Sequence, residues 1–456
     1  MKFAKDSYWL KSGSYTLLNR ISDFLFGFAG FLMLIRIFSK EEFGVWVLFI
    51  TVTSLIEIAR ASFIQNAFIK FSVAAELNEY KKILTASFFM NALITLLSII
   101  LFLSLGNILG SVWNSPELPA LMYLYTITML FYAPFAQFIV VMQAKFNFKG
   151  IFYSQLFRSG AFFLFILSVF LLKYKIALHH LVIAQLLFVA PVSSVIAYLF
   201  VKKDLLFSRN LSREWVGKLF RYSKFVFGTS MTSMLTNSMD KFLIGGLLTS
   251  AQVASFNAAS RVLNLFDVPL FSVASIVFPK SAERMEKEGK QAVKYLYERS
   301  VGLMIAMTLP FFVSCFIFAE LIIKVIAGNE YLDSVPVLRV VIFLSILKPF
   351  DRQSGSFLDA IGKPNLNFIT VIINFFTTIS VLYVFIKFAG IMGAAFGSLL
   401  SLFIAVVISH IILYKLLNIN PFNTFIYAYK FYSDGFIIAR KFLTKEKTNN
   451  SDHEQI

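Results

Sequence analysis

This sequence is almost free of cysteine and poor in histidine. Its one cysteine, Cys315, lies in an apolar run, so the chain can form no internal disulfide framework. The four histidines do not cluster in the sequence, which argues against a metal site; they are His179, His180, His410 and His453. The chain has no GxxxxGK[ST] loop of an ATP motor and no arguable Ser/His/Asp set. We therefore expect that the protein is not an enzyme.

Charge is also scarce, at 15% of the residues, whereas 58% are hydrophobic and the mean hydropathy is +0.75. The apolar residues come in repeated blocks of about 20, the length that spans a bilayer core. These features predict a polytopic membrane protein. The first segment, MKFAKDSYWLKSGS, has no apolar h-region or cleavage site, so we expect the first span to be retained.

Hydropathy predicts twelve membrane helices. They cover approximately residues 15–38, 43–71, 83–109, 118–144, 150–172, 178–201, 222–248, 252–279, 298–321, 334–360, 365–388 and 392–417. With the N-terminus inside, 28 of the 42 Lys and Arg residues fall in cytoplasmic segments and 6 in outside segments. This asymmetry predicts that both termini are cytoplasmic. It also explains the net charge of +17 without a nucleic acid partner.

The predicted spans divide into two halves, an N-terminal lobe of helices one to six (1–210) and a C-terminal lobe of helices seven to twelve (211–420). The halves contain similar segments, such as PFAQFIVVMQA at 134–144 and PFDRQSGSFLDA at 349–360. Two related six-helix lobes with a site between them are a common transporter plan. Residues 421–456 follow as a cytoplasmic segment, with an aromatic and basic part that suits the inner membrane surface or a short thirteenth span. The segment ends in a disordered tail.

Ionisable residues inside the predicted spans are the main functional candidates, because charges are costly in the bilayer. Eight are basic and six are acidic. They are Arg20, Asp23, Glu57, Arg60, Arg158, Asp240, Lys241, Arg261, Asp267, Arg339, Lys348, Asp351, Arg352 and Asp359. Most of the basic ones are arginines, whose planar, permanent charge suits phosphate.

Helical spacing places several polar residues on single faces, which indicates a polar cavity rather than lipid contact. One stripe contains Asn237 and Asp240, and another contains Arg261 and Asn264. Asp240 and Lys241 are neighbours, so on a regular helix they do not face each other, and each needs another partner.

The alternative interpretation is structural. Two pairs of oppositely charged residues are three positions apart, a spacing that allows an ion pair within one helix. They are Arg20 with Asp23, and Glu57 with Arg60. Arg339 lies near the outer end of its span and suits snorkelling. Lys348 precedes Pro349, and the alternative is that its side chain only fills the space at a helix kink caused by the proline.

The segment MDKFLIGGLLTSAQVASFNAASRVLNLFDVPLFSVASIVFPKSAE (239–283) resembles helices seven and eight of a known family. This is the polysaccharide-transporter branch of the multidrug/oligosaccharidyl-lipid/polysaccharide flippase superfamily. FLDAIGKPNLNFITVIINF (357–375), GIMGAA (390–395) and RISDFLFGFAGFLMLIRIFSKEEFGVWVLF (20–49) resemble further landmarks of that family, so the resemblance covers nearly the whole span region.

The resemblance implies an all-α flippase that moves undecaprenyl-pyrophosphate-linked sugar repeat units across the bacterial plasma membrane for O-antigen or capsule. It implies lipid-linked oligosaccharide and membrane lipid as partners, together with a polysaccharide polymerase and chain-length proteins. It also implies that essential arginines line a central cavity.

These inferences lead to two sets of candidate site residues. Substrate-binding candidates are Arg20, Arg60, Arg158, Lys241, Arg261, Arg352, Asn237 and Asn264. Asp23, Glu57, Asp240 and Asp267 would hold the arginines or couple transport to H⁺ or Na⁺; we expect no other cofactor.

Two rival functions stay open at this point. A multidrug exporter of the same superfamily often carries cations and predicts that acids dominate the cavity, whereas bases dominate here. A membrane glycan polymerase or glycosyltransferase predicts a sizeable outer loop, and no predicted outer loop is longer than about a dozen residues.

Overall fold

Each predicted span coincides with one or two α-helices. The computed structural model describes residues 7–434, without the side chains of residues 7–12 and of some positions between 268 and 282. Its α-helices are α1 Ser7–Ile37, α2 Lys40–Ser72, α3 Leu77–Val112, α4 Leu118–Ala144, α5 Phe148–Leu172, α6 Leu178–Ala184, α7 Ala190–Val201, α8 Arg213–Thr236, α9 Met239–Leu247, α10 Ser250–Lys287, α11 Lys290–Ile317, α12 Ala319–Ile326, α13 Ser334–Val341, α14 Leu344–Ala360 and α15 Pro364–Leu417. A further helix runs from 421 to 434. The predicted tail, from 435 onward, lies outside the described residues.

Eight of the described helical segments are long and apolar enough to cross a membrane. They are Gly13–Ile37, Lys40–Ser72, Leu77–Val112, Leu118–Ala144, Phe148–Leu172, Leu178–Val201, Lys290–Ile317 and Pro364–Leu417. The last of these contains two predicted spans, because the backbone leaves helical geometry at Ala389 and Gly390. Gly390 has φ +56°, a conformation that suits glycine. The chain is an all-α, multi-pass membrane protein.

Several predicted spans are interrupted, which corrects the sequence interpretation; 298–321, for example, divides at Phe318 between α11 and α12. The predicted helix 222–248 breaks at Asn237 and Ser238, between α8 and α9. Asn and Ser side chains offer the backbone alternative hydrogen bonds, so this pair favours a turn over a regular helix. The predicted span 334–360 likewise divides into α13 and α14. Hydropathy does not detect such breaks, because the residues around them stay largely apolar.

The chain forms two compact units, residues 1–255 and 256–456. In unit 1, α1 packs on α5, and α2 packs on α3, α4 and α8. In unit 2, α14 packs on α11 and α15 around a core that includes Tyr297, Phe357 and Leu413. The division of the sequence at residue 210 stays a prediction.

Several helix starts are fixed by local capping. Ser39 accepts a hydrogen bond from the backbone of Glu42, and Glu42 bonds back to the backbone of Ser39, which forms a capping box at the start of α2. Asn147 accepts from the backbone N–H of Gly150 at the start of α5. These caps define where α2 and α5 begin, and both helices contribute to the cavity described below.

The helix at 421–434 packs along α11. Buried Glu298 of α11 accepts hydrogen bonds from the backbone of Asn420 (2.8 Å) and the side chain of Asn423 (3.0 Å). Further along, a Cβ on Gly302 would lie 2.7 Å from the carbonyl oxygen of Thr424, so the backbones approach closely there. Tyr432 then donates to the carbonyl of Ala306. The two helices therefore run side by side in the same direction; the predicted location at the inner membrane surface stays a prediction.

Candidate functional site

A cavity of about 190 Å³ with both polar and apolar walls lies among four helices of unit 1. Residues of α2, α3, α4 and α5 line it: Glu57, Arg60, Ala61, Ile64, Gln65, Asn91, Tyr132, Phe135, Ala136, Gln137, Ile139, Val140, Gln155 and Arg158. Three of the predicted site residues, Glu57, Arg60 and Arg158, thus meet in one place although they come from two helices.

Arg158 and Glu57 face each other across the cavity. A guanidinium nitrogen of Arg158 (Nη1) lies 3.9 Å from Oε1 of Glu57, and both side chains are partly exposed. The Tyr125 hydroxyl donates to the same carboxylate oxygen at 3.4 Å. The Arg158 guanidinium also lies 5.8 Å from the ring centre of Tyr132 and 5.4 Å from that of Phe135, within cation–π range. The long ion pair and the partial exposure leave the guanidinium accessible to an anion.

Arg60 is the most deeply buried cation of the cavity, with 4% of its surface exposed. It lies three residues after Glu57, almost one helical turn along α2. Its Nε atom finds no hydrogen-bond partner among the described residues. Arg60 therefore places a buried, permanent positive charge beside the cavity.

Neutral amide side chains complete the cavity wall, and the sequence interpretation did not single them out. Asn91 donates from Nδ2 to the carbonyl of Ala133 at 2.8 Å, and Gln137 donates from Nε2 to the Ser87 hydroxyl at 2.6 Å. Gln65, which donates to Gln143, and Gln155 also line the cavity. These residues were missed because the predicted spans were searched for charged residues, and an amide side chain is polar but neutral.

Asp23 links α1 to α5. Its carboxylate accepts from the Ser159 hydroxyl at 2.6 Å and from the Asn19 amide at 3.2 Å. Arg20 lies on an exposed part of α1 and is not among the residues that line the cavity.

Asp240 and Lys241 contact each other, contrary to the expectation that adjacent residues cannot pair. The Lys241 ammonium lies 3.5 Å from Oδ1 of Asp240. The reason is the interruption before α9, which places Asp240 in the first turn of that helix. There its carboxylate accepts the backbone N–H of Lys241 at 2.7 Å and stays within reach of the ammonium group. Asn237 is exposed at the C-terminal end of α8.

In unit 2, the predicted site residues lie on α10 and α14. Lys348 of α14 makes an ion pair with Asp267 of α10, with distances of 3.1 and 3.2 Å to the two carboxylate oxygens. Lys348 is therefore more than a residue that fills a proline kink. The Arg352 guanidinium lies 5.1 Å from the ring centre of Phe271. On α10, Arg261 is half-buried and Asn264 is exposed.

No group of three or more His, Cys, Asp or Glu side chains within the described part of the chain is placed to hold a metal ion. The cavity of unit 1 is instead a site of mixed polarity. It is lined by two guanidinium groups, one carboxylate and several amides, together with aromatic and aliphatic side chains.

Comparison with known proteins identifies the family. The family described as "Polysaccharide biosynthesis protein" matches residues 33–336. A probable low-salt glycan biosynthesis flippase of Haloferax volcanii is 27% identical over 187 residues, which are 40% of this chain and 39% of that protein. The chain thus spans less than half the length of this relative. A lipopolysaccharide biosynthesis protein of Escherichia coli is 20% identical over 388 residues, 84% of this chain and 76% of that protein.

Among solved structures, the lipid II flippase MurJ in its inward closed conformation is similar, with a TM-score of 0.74. The likeness covers 94% of this chain and 92% of that chain at 14% sequence identity, which is evidence for a shared fold. The family match and the named relatives confirm the predicted resemblance to the polysaccharide-transporter branch. The Haloferax volcanii relative and MurJ are both named as flippases, in agreement with the expectation that the chain is not an enzyme.

Proposed function

Because the chain belongs to the polysaccharide biosynthesis protein family, we propose that it is a flippase for a lipid-linked oligosaccharide. Its role would be to move sugar units on a polyprenyl carrier from the inner to the outer leaflet, where a surface polysaccharide is assembled. The observation that carries this proposal is the unit 1 cavity, which combines Arg60 and Arg158 with neutral polar groups inside a membrane-spanning helix bundle.

The chemistry of the cavity suits a phosphate-bearing headgroup. A pyrophosphate carries several negative charges, and its passage through an apolar slab needs compensating cations. Arginine supplies planar, permanently charged donors that match phosphate oxygens. Arg60 and Arg158 would bind the pyrophosphate while the polyprenyl tail remains in the bilayer.

The acids of the site would regulate this binding. Glu57, beside Arg158, would balance its charge in the empty cavity and be displaced when the headgroup arrives. Asp267 would do the same for Lys348 in unit 2. These carboxylates are also the candidates for H⁺ or Na⁺ coupling, together with Asp23 and Asp240.

The other substrate-binding candidates would line later parts of an alternating-access path. They are Arg20, Lys241, Arg261, Arg352, Asn237 and Asn264. The carrier would be undecaprenyl pyrophosphate and the membrane the bacterial plasma membrane, with both termini cytoplasmic. A polysaccharide polymerase and chain-length proteins would act on the product.

A reconstitution assay tests the proposal. The purified protein is placed in liposomes with a fluorescent short-chain polyprenyl-pyrophosphoryl disaccharide, and a membrane-impermeant quencher reports which molecules face outward. We expect the wild-type protein to lower the protected fraction, and the Arg60→Gln variant to leave it close to that of protein-free liposomes. The exposed Arg339→Gln variant is the matched control and should behave as wild type. A wild-type protein that leaves the protected fraction unchanged would contradict the proposal.

A further inference from the structure

The chain between α7 and α8, residues 202–212, is held against the start of α3. The hydroxyl of Tyr80 donates to the carbonyl of Asp204 at 2.9 Å. The backbone N–H of Ser208 donates to the hydroxyl of Thr85, also at 2.9 Å. Two hydrogen bonds, one near each end of the segment 204–208, therefore fix the course of this linker along α3.

Phe207 of the linker lies beside the membrane-spanning part of α3. Its ring packs edge-to-face on that of Phe88, with ring centres 5.0 Å apart. The predicted span of α3 begins at residue 83, so Phe88 lies inside it by about 8 Å along the helix axis, at 1.5 Å per residue. Phe207 and the preceding Leu206 nevertheless remain 49% and 39% exposed. At this depth their exposed surface meets acyl chains rather than water.

The adjacent face of α3 is apolar and exposed as well. Phe89, Leu93 and Leu97 are 44%, 44% and 57% exposed, and their spacing of four residues places them on one side of the helix. Phe89 is next to Phe88, the residue that Phe207 contacts. The linker thus lies beside a face of α3 that suits contact with lipid.

Exposed cations surround the two apolar linker side chains. Three come from the linker, one from the start of α3 and one from the end of α4, where the Lys145 ammonium lies 4.1 Å from the ring centre of Tyr80. They are Lys82, Lys145, Lys202, Lys203 and Arg209. The same stretches contain two acids, Glu79 and Asp204. Inserted apolar side chains beside a cationic rim are typical of surfaces that bind an anionic membrane interface.

We propose that this linker surface, formed by Leu206, Phe207 and the five cations, binds anionic phospholipids of the leaflet that contains it, the predicted cytoplasmic leaflet. Leu206 and Phe207 insert among the acyl chains, and the Lys and Arg side chains contact headgroup phosphates. A zwitterionic headgroup is bound less well, because its own cationic group repels the rim. The proposal goes beyond the proposed transport function and does not depend on it.

Native mass spectrometry of the full-length protein tests the lipid preference. The protein is purified in detergent with equal amounts of phosphatidylglycerol and phosphatidylcholine that carry the same acyl chains. We expect the wild-type protein to retain more phosphatidylglycerol. The variant Lys202→Gln/Lys203→Gln/Arg209→Gln should lower the ratio of the two bound lipids about fivefold, because three cations near the headgroup are lost.

The matched control removes three exposed lysines on the other predicted side of the membrane. This variant, Lys173→Gln/Lys175→Gln/Lys324→Gln, loses the same charge and should keep the wild-type ratio. A wild-type ratio in the linker variant, or an equal fall in both variants, would overturn the inference. Excess farnesyl pyrophosphate should not displace the bound phosphatidylglycerol. Displacement would assign the surface to the carrier headgroup and overturn the phospholipid site.

A depth measurement tests the insertion of Phe207 independently of those variants. Cys315 is the only cysteine, so Phe207→Cys in a Cys315→Ser chain can carry a single nitroxide label. In vesicles that contain phosphatidylglycerol, we expect the label about 5–10 Å below the phosphate level, from its collisions with oxygen and with a water-soluble nickel complex. A label fully accessible to the nickel complex would contradict insertion. None of these outcomes involves transport, so the proposed function is tested separately.

Discussion

A guanidinium nitrogen of Arg158 on α5 lies 3.9 Å from a carboxylate oxygen of Glu57 on α2, and Tyr125 donates to that same oxygen. The carboxylate thus competes with an incoming anion for Arg158. We predict that Glu57→Gln raises the affinity for farnesyl pyrophosphate about fivefold, because a nearby negative charge in a partly shielded site is removed. Release of the headgroup should slow in parallel, so glycan transport in cells should fall. Isothermal calorimetry measures the affinity.

Tyr125→Phe is the control for this prediction, since it removes the hydroxyl that donates to Glu57 but keeps the negative charge. Its affinity for farnesyl pyrophosphate should stay near the wild-type value. Equal or weaker binding by Glu57→Gln would mean that Glu57 does not oppose the anion.

Arg60 should be needed for headgroup binding because it is a buried cation that lines the cavity. Arg60→Gln should weaken binding of farnesyl pyrophosphate about tenfold to a hundredfold, the range for hydrogen bonds to charged groups. Arg60→Lys should recover only part of this loss, since an ammonium lacks the planar set of donors. Wild-type affinity in Arg60→Gln, measured in the same titration, would remove Arg60 from the site.

Much of this site could be predicted from the sequence, because the length of an apolar run and the position of a charge within it can be read directly from the order of the residues. Glu57, Arg60 and Arg158 were all candidates on that basis. Their meeting in one cavity depends on how α2 packs near α5, which no local pattern encodes. Asn91 and Gln137 were missed because a neutral amide barely changes the hydropathy of a span.

The contact between Asp240 and Lys241 shows a second limit. This contact follows from the break in the helix at Asn237 and Ser238. The sequence does not predict the break, because the apolar run continues on both sides of it. The ion pair of Lys348 with Asp267 joins residues 81 positions apart, so the sequence supplied both partners but not the pairing.

That ion pair should contribute measurably to stability. Both side chains are partly exposed, so we expect a coupling energy of only about 1 kcal/mol in a double-mutant cycle of Asp267→Asn and Lys348→Met. Thermal unfolding in detergent measures it. The exposed pair of Lys287 and Glu283, at 2.7 Å on α10, is the comparison and should give a smaller coupling energy, because water screens it more strongly. Equal coupling in the two cycles would contradict a stabilising role for the membrane pair.

The packing of the helix at 421–434 on α11 should depend on Glu298. Its carboxylate is 2% exposed and accepts two hydrogen bonds from Asn420 and Asn423. Glu298→Ala should lower the free energy of unfolding by about 3 kcal/mol, because two charge-assisted bonds are lost. Exposed Glu320→Ala should have little effect. If both variants melt at the wild-type temperature, these bonds do not hold the helix in place.

The central claim, that the chain moves a lipid-linked glycan across the membrane through a site containing Arg60, is tested most directly in cells that lack the gene. The measurement is the leaflet in which the lipid-linked glycan is found. We predict that it accumulates in the inner leaflet, that surface polysaccharide is lost, and that the wild-type gene but not the Arg60→Gln variant restores it. Normal surface polysaccharide, together with a new sensitivity to cationic compounds, would contradict the account and favour drug export.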